Sequence, residues 1–164
     1  MKRVGNLIVL LACTLVLWGY LMAAGESWFD MPNCDFCKHL LTDPGLLPNS
    51  TWEHHNISNG LITITTVPDE YMDSYNKAMA AMELTGKMLE KGEPVKMCNM
   101  CKAYGELLAS GAKMEHIRTV HGDVTLLTGD TPELVAKIQA WGQRNNDEMK
   151  KMMEMEKEKE IKKE

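Results

Sequence analysis

The sequence predicts an α+β protein made of two tandem helix–β-hairpin–helix repeats. Three observations predict it. Cys-x-x-Cys-Lys occurs twice, at Cys34–Lys38 and at Cys98–Lys102. Each copy is followed by Glu-His, at Glu53-His54 and Glu115-His116, and then by a second alternating run after a glycine, Gly60 or Gly122. Each pair of runs then meets a proline, Pro68 or Pro132, and a long helical stripe. A repeat of this kind constrains the fold before any local signal does. Residues 26–96 form the first expected repeat and 97–153 the second. The simplest packing joins both hairpins in one antiparallel sheet, related by a pseudo-two-fold, with the helices over one face.

Taken in order, the elements follow from local chemistry. After the first motif, Pro44-Gly45 cuts the opening helix short. Thr51 to Ile57 and Leu61 to Thr66 alternate, and Asn59-Gly60 between them is a strong hairpin signal. Pro68 opens a helix whose stripe is Met72, Tyr75, Met79, Met82 and Leu89. In the second repeat, Cys101 to Ser110 is an amphipathic helix ended by Gly111. Lys113 to Val120 and Val124 to Thr128 alternate around His121-Gly122-Asp123. Thr131 caps, and Pro132 begins, a helix striped by Leu134, Val135, Ile138, Trp141, Met149 and Met152. Residues 154–164 are mostly Glu and Lys, a charged helical extension or a solvated tail.

Residues 1–25 have a basic start, an apolar run from Leu7 to Ala24 and the small residues Ala23-Ala24-Gly25. That is the pattern of a secretory signal, and its length also suits an uncleaved N-terminal membrane anchor. Both place the rest of the chain outside the cytoplasm, periplasmic or secreted. Leu10-Leu11-Ala12-Cys13 resembles a lipoprotein box, but the apolar run continues beyond Cys13 where a lipid anchor calls for a polar linker. The formal net charge is −5, and two of the basic residues, Lys2 and Arg3, lie in this leading segment. No basic or aromatic track serves nucleic acid. Membrane contact is expected only through the N-terminal segment. No Ser–His–Asp set, phosphate loop or zincin motif is present, so no catalytic residue is assigned.

The four remaining cysteines carry the functional reading. Cys34, Cys37 and His54 have the spacing of a zinc half-site, and Cys98, Cys101 and His116 repeat it. Thiolates at a helix start are favoured by the N-terminal N–H groups. The expected ligand is a thiophilic ion, zinc or alternatively Cu(I), the latter suited to a chain with 14 Met. Two arrangements stay open: twin sites of two thiolates and one imidazole, or one four-thiolate site.

Two other uses of the same cysteines also stay open. Cys-x-x-Cys opening a helix is the local pattern of thiol–disulfide exchange proteins, although the buried strand that should precede it is replaced by Glu26 to Asn33, which contains Pro32. An even number of cysteines outside the cytoplasm also suits a disulfide-stapled interaction domain. Met149, Met152, Met153 and Met155 beside the charged tail could seat a partner helix. Asn49-Ser50-Thr51 and Asn56-Ile57-Ser58 match the glycosylation sequon, which matters only in a eukaryotic secretory host.

The stretch Gly122 to Gln139, G-D-V-T-L-L-T-G-D-T-P-E-L-V-A-K-I-Q, resembles a pattern in small exported bacterial proteins of unknown function. These have a Thr-rich strand, an Asp-rich turn, Pro and a helix. The resemblance implies a bacterial envelope protein and names no activity.

Overall fold

A computed structural model of the chain describes residues 27–161. The signal or anchor expected at the N-terminus lies outside these residues. The described residues form an α+β fold with one four-stranded antiparallel sheet. Its strands are β1 (Thr51–Ile57), β2 (Gly60–Thr66), β3 (Lys113–Thr119) and β4 (Gly122–Thr128), in the order β1-β2-β4-β3. The helices are α1 (Leu46–Asn49), α2 (Met72–Glu90), α3 (Asn99–Ala109) and α4 (Pro132–Ile161). A 3-10 turn at Cys37–Leu41 stands where the first repeat expects its opening helix, cut short before Pro44-Gly45. None of these helices is long and apolar enough to cross a membrane.

The central ladder reads the same from either end. Thr63 pairs with Thr125 at its middle, Gly60 with Thr128 at one end and Thr66 with Gly122 at the other. It is extended at both ends by matching bonds, Val67 N–H to the His121 carbonyl and Gly129 N–H to the Asn59 carbonyl, 2.8 and 2.9 Å.

The hairpin turns differ from the sequence expectation. Asn59-Gly60 is not the turn centre: Ser58 and Asn59 turn, and Gly60 is already in the strand opposite Ile57. Among the described residues no non-glycine residue has a positive φ, so this turn is not the primed type that Asn-Gly favours. The glycine is required for another reason. A Cβ at Gly60 would overlap the Leu127 carbonyl across the central ladder.

Residues of one face of the sheet lie beneath the helices. Leu61 and Leu127 pack with Leu107 of α3 and with Leu134 and Ile138 of α4. Gly142 of α4 sits where a Cβ would overlap Leu61, so this glycine lets the helix approach β2 closely. Pro132 begins α4 and Thr131 Oγ1 accepts the Leu134 N–H at 3.2 Å, as the sequence expects. In α2 the expected stripe holds in part: Tyr75 is buried, while Leu89 is exposed and Ala78 and Thr85 are buried instead.

The attachment of α2 to the sheet is polar. The Tyr75 hydroxyl donates to the buried Asp123 carboxylate of β4. Burial first, and Asp123 second, push the Tyr75 hydroxyl above the usual phenol range, which keeps it a donor. Tyr75→Phe is expected to cost ~1–3 kcal/mol, because it strips a buried carboxylate of a donor. Urea denaturation of both forms measures this, and a loss under ~0.5 kcal/mol would mean that the bond is incidental.

Candidate metal centre

Each Cys-x-x-Cys-Lys motif folds as a single helical turn. The Lys38 N–H reaches the Cys34 carbonyl at 3.0 Å, and the Lys102 N–H reaches the Cys98 carbonyl at 3.0 Å. One turn at this spacing sets both sulfurs of a motif on one side. The two turns are then clipped together. Asp35 N–H donates to the Lys96 carbonyl at 2.8 Å, and Lys96 N–H donates back to Asp35 Oδ2 at 2.8 Å. The Met100 N–H bonds the Trp28 carbonyl at 3.1 Å. Trp28 is itself fixed, its Nε1 donating to buried Asn145 of α4 at 2.7 Å and its ring lying under Arg144.

This clip brings all four sulfurs together. Their Sγ atoms lie within 4.8 Å of one another. Cys37 is 3.5 Å from Cys101 and 3.8 Å from Cys98, and Cys34 is 3.6 Å from Cys101. Four sulfurs bound to one ion at about 2.3 Å, arranged tetrahedrally, stand about 3.8 Å apart. A disulfide needs about 2.05 Å. The four cysteines are unbridged thiols. A cluster of several irons also needs more room, because sulfide and iron stand between its outer thiolates. The spacing therefore suits a single tetrahedral ion.

The surroundings are dry. Cys34 and Cys37 are 0 % and 1 % exposed and Cys98 is 6 % exposed, and Met31, Phe36 and Met100 pack around them. Cys101 is the most accessible of the four. Burial pushes the Cys34 thiol up, but backbone N–H groups of Cys37, Cys98 and Phe36 and the Cys37 thiol outweigh it and hold it below its usual value. The Cys37 thiol is raised far above the usual range, first by its hydrogen bond with Cys101, then by burial and by the neighbouring sulfur charges. Burial, then the charges on Cys37 and Cys34, raise Cys98 against a bond from the Cys101 N–H. At Cys101 the bond from Cys37 lowers the thiol, and burial with the charges on Cys34 and Cys98 outweighs that bond. One thiolate is thus favoured, and the next ones are opposed by its charge. A cation at the centre removes that opposition.

His54 and His116 are held elsewhere. His54 Nδ1 lies 3.1 Å from Asn146 Oδ1, its backbone carbonyl accepts from Asn146 Nδ2, and its ring meets Trp141 edge-on. His116 Nε2 lies 3.4 Å from Asp123 Oδ2. The cluster of potential ligands among the described residues contains the four cysteines and neither histidine. The two histidines align because both belong to the helix-facing rows of their strands, opposite Thr63 and Thr125. Their matching place follows from the register of the sheet. Sequence reasoning also missed Asp123. Its signal was a carboxylate alternating with Thr125 and Leu127 on the face that β4 buries.

Burial lowers the His54 pKa, helped by the charge of His55 and opposed by the bond to Asn146. The folded state therefore resists protonation that the unfolded chain accepts at about pH 6.5. Stability from neutral His54 is present above that value and is lost as pH falls from it toward the folded pKa. An NMR titration is expected to place His54 below 6.5. A value at or above 6.5 would mean that its ring is solvated.

No family model, curated protein or solved structure matches the chain.

Proposed function

We propose that this is an extracytoplasmic metal-binding protein that holds one tetrahedral ion, zinc, in the thiolates of Cys34, Cys37, Cys98 and Cys101. The observation that carries this reading is the spacing of the four sulfurs, with three pairs across the two motifs at 3.5 to 3.8 Å and all within 4.8 Å of one another. Of the two arrangements the sequence leaves open, that spacing supports the single four-thiolate site over twin sites with His54 and His116. It favours zinc over Cu(I), which is content with fewer sulfurs, because four thiolates in a closed tetrahedron are a usual structural zinc site. The ion's role is to join the first turn, around Cys34–Lys38, to the start of α3. The repeated motif is then a duplicated ligand pair within a duplicated module, and the symmetric register of β2 and β4 supports that origin.

The same geometry speaks against thiol–disulfide exchange. An attacking thiol must be both ionised and accessible. Cys34 has the lowered pKa and is 0 % exposed, and the accessible Cys101 has a raised one. The apolar run from Leu7 to Ala24, read as an export signal or anchor, supports an extracytoplasmic setting, where a bound ion keeps the four thiols from oxidising.

Elemental analysis of protein from its native compartment, with a thiol count before and after chelation, tests the reading. The expected result is about one zinc per chain, with four thiols released by chelator. Because three of the four thiols are raised, loading the apo-protein at pH 7 is expected to release about three or four protons per ion. Calorimetry in buffers of different ionisation enthalpy counts them. No metal and no free thiols in the native protein would sink the proposal.

A further inference from the structure

The helices cover one face of the sheet. Every helix-to-sheet contact described above, from Leu61, Leu127, His54 and Asp123, lies on that face. Along the strands, Ile62 pairs with Leu126 and Ile64 with Val124, and these four side chains point to the other face. None of them belongs to the buried clusters found among the described residues. Beside them on the edge strand β3, Ile117 is 52 % exposed. An antiparallel sheet with one solvated face carries polar residues on that face, so this apolar row marks a face that is covered.

We propose that this open face is the interface of a homodimer, in which two copies pack sheet to sheet as an eight-stranded sandwich. Two properties of the face choose a second copy as the occupant. The first is self-complementary chemistry. A two-fold axis along the strands sets β1 of one copy over β3 of the other. The row His55, Ile62, Leu126, Glu115 then meets its own reverse. His55 faces Glu115 of the second copy twice, while Ile62 covers Leu126 and Ile64 covers Val124. An isologous interface requires this reciprocity. Glu53, 2.9 Å from His55 within its own copy, orients the imidazole.

The second property is size. Four strands of seven residues span about 19 by 24 Å, a projected area of about 450 Å² per copy. Side-chain relief makes the accessible area larger than the projection. The total falls near the lower end of specific interfaces, so the dimer is of the micromolar, exchanging kind.

Sedimentation equilibrium of the full chain in density-matched non-ionic detergent, from about 1 to 100 μM, tests this. The expected result is a reversible monomer–dimer equilibrium. Leu126→Lys appears twice at the centre of the interface and is expected to weaken it by about 100-fold. Ile117→Lys, at an exposed edge, is the second variant and is expected to weaken it by about tenfold. A cooperative thermal transition and a far-UV circular dichroism spectrum matching the parent's show that each variant is folded. A strict monomer at 100 μM would overturn the proposal. So would a dimer that both variants leave intact, which would place the association elsewhere, as in the N-terminal segment.

Discussion

Cys37→Ser is expected to lose the ion and, with it, most of the stability of the N-terminal part of the fold. Cys37 is the sulfur that approaches both cysteines of the second motif, at 3.8 and 3.5 Å, and it is 1 % exposed. A serine hydroxyl is shorter and a far poorer ligand for a thiophilic ion. In this region, apart from the ion, His39 and the Asp35 carbonyl touch Thr85 of α2, and Leu40 packs beside Leu46, Val67 and Tyr75. Its apolar cluster consists of the cysteines with Met31, Phe36 and Met100. Its polar ties are the Asp35 N–H bond to the Lys96 carbonyl, the Lys96 N–H bond to the Asp35 carboxylate, the Met100–Trp28 backbone bond and the Trp28–Asn145 anchor. An ion present at 100 to 1,000 times its Kd stabilises the folded chain by ~2.7 to ~4.1 kcal/mol. The variant should therefore fall below the parent by about 3–4 kcal/mol when metal is present. Chelator should close most of that gap, because it removes the same contribution from the parent. Thermal denaturation of both proteins, each with zinc and with chelator, gives the four values needed. A gap of equal size under chelator would mean that Cys37 acts by packing alone. Hydrogen exchange adds a spatial check: chelation should expose amides around 28–41 and 96–103 while those of β2 and β4 stay protected.

The strands and the helix order were legible in the sequence because each rests on local periodicity, and the joining of the two hairpins in one sheet because their matching order implied it. Thr51–Ile57 was read to the residue, and the helix begun by Pro132 and capped by Thr131 needed only neighbours a few positions away. The cysteine pairs were legible for the same reason, since a motif of four residues specifies its own turn. What was not legible is what arises between distant segments. Whether two thiol pairs share one ion depends on the clip between Asp35 and Lys96, 61 residues apart. His54 looked like a ligand because it recurs at a matching place. Its partners, Asn146 and Trp141, come from a helix about ninety residues away, whose contacts no spacing rule announces. The same is true of Asp123, whose charge in an apolar strand is explained only by Tyr75 on α2. Gly60 was read as a turn residue, and its actual constraint is the carbonyl of Leu127 on a strand that the hairpin itself does not contain.

Gly122→Ala is expected to be among the most damaging single-methyl changes in the chain. Two independent costs fall on it. Its φ is +134°, a backbone conformation that L side chains rarely adopt. Its Cβ would also overlap the Thr65 carbonyl oxygen and lie 2.9 Å from the carbonyl carbon. Those atoms are backbone of the central ladder, where Thr66 pairs with Gly122. They cannot yield as a side chain can, so relief means parting β2 from β4 at the end of the ladder and losing the Val67–His121 bond beside it. The strain and the overlap together should cost more than ~3 kcal/mol. Gly60→Ala meets the Leu127 carbonyl in the same way at the other end, without the positive φ, and should cost somewhat less. Gly86→Ala is the control. Gly86 lies within α2 with nothing within 4 Å of its Cβ position. There the methyl group should stabilise by ~0.5–1 kcal/mol through helix propensity. Chemical denaturation of the three variants should therefore rank them Gly86→Ala above the parent, then Gly60→Ala, then Gly122→Ala. A loss below ~1 kcal/mol at Gly122 would show that the two central strands are not held at the close approach that their symmetric register requires.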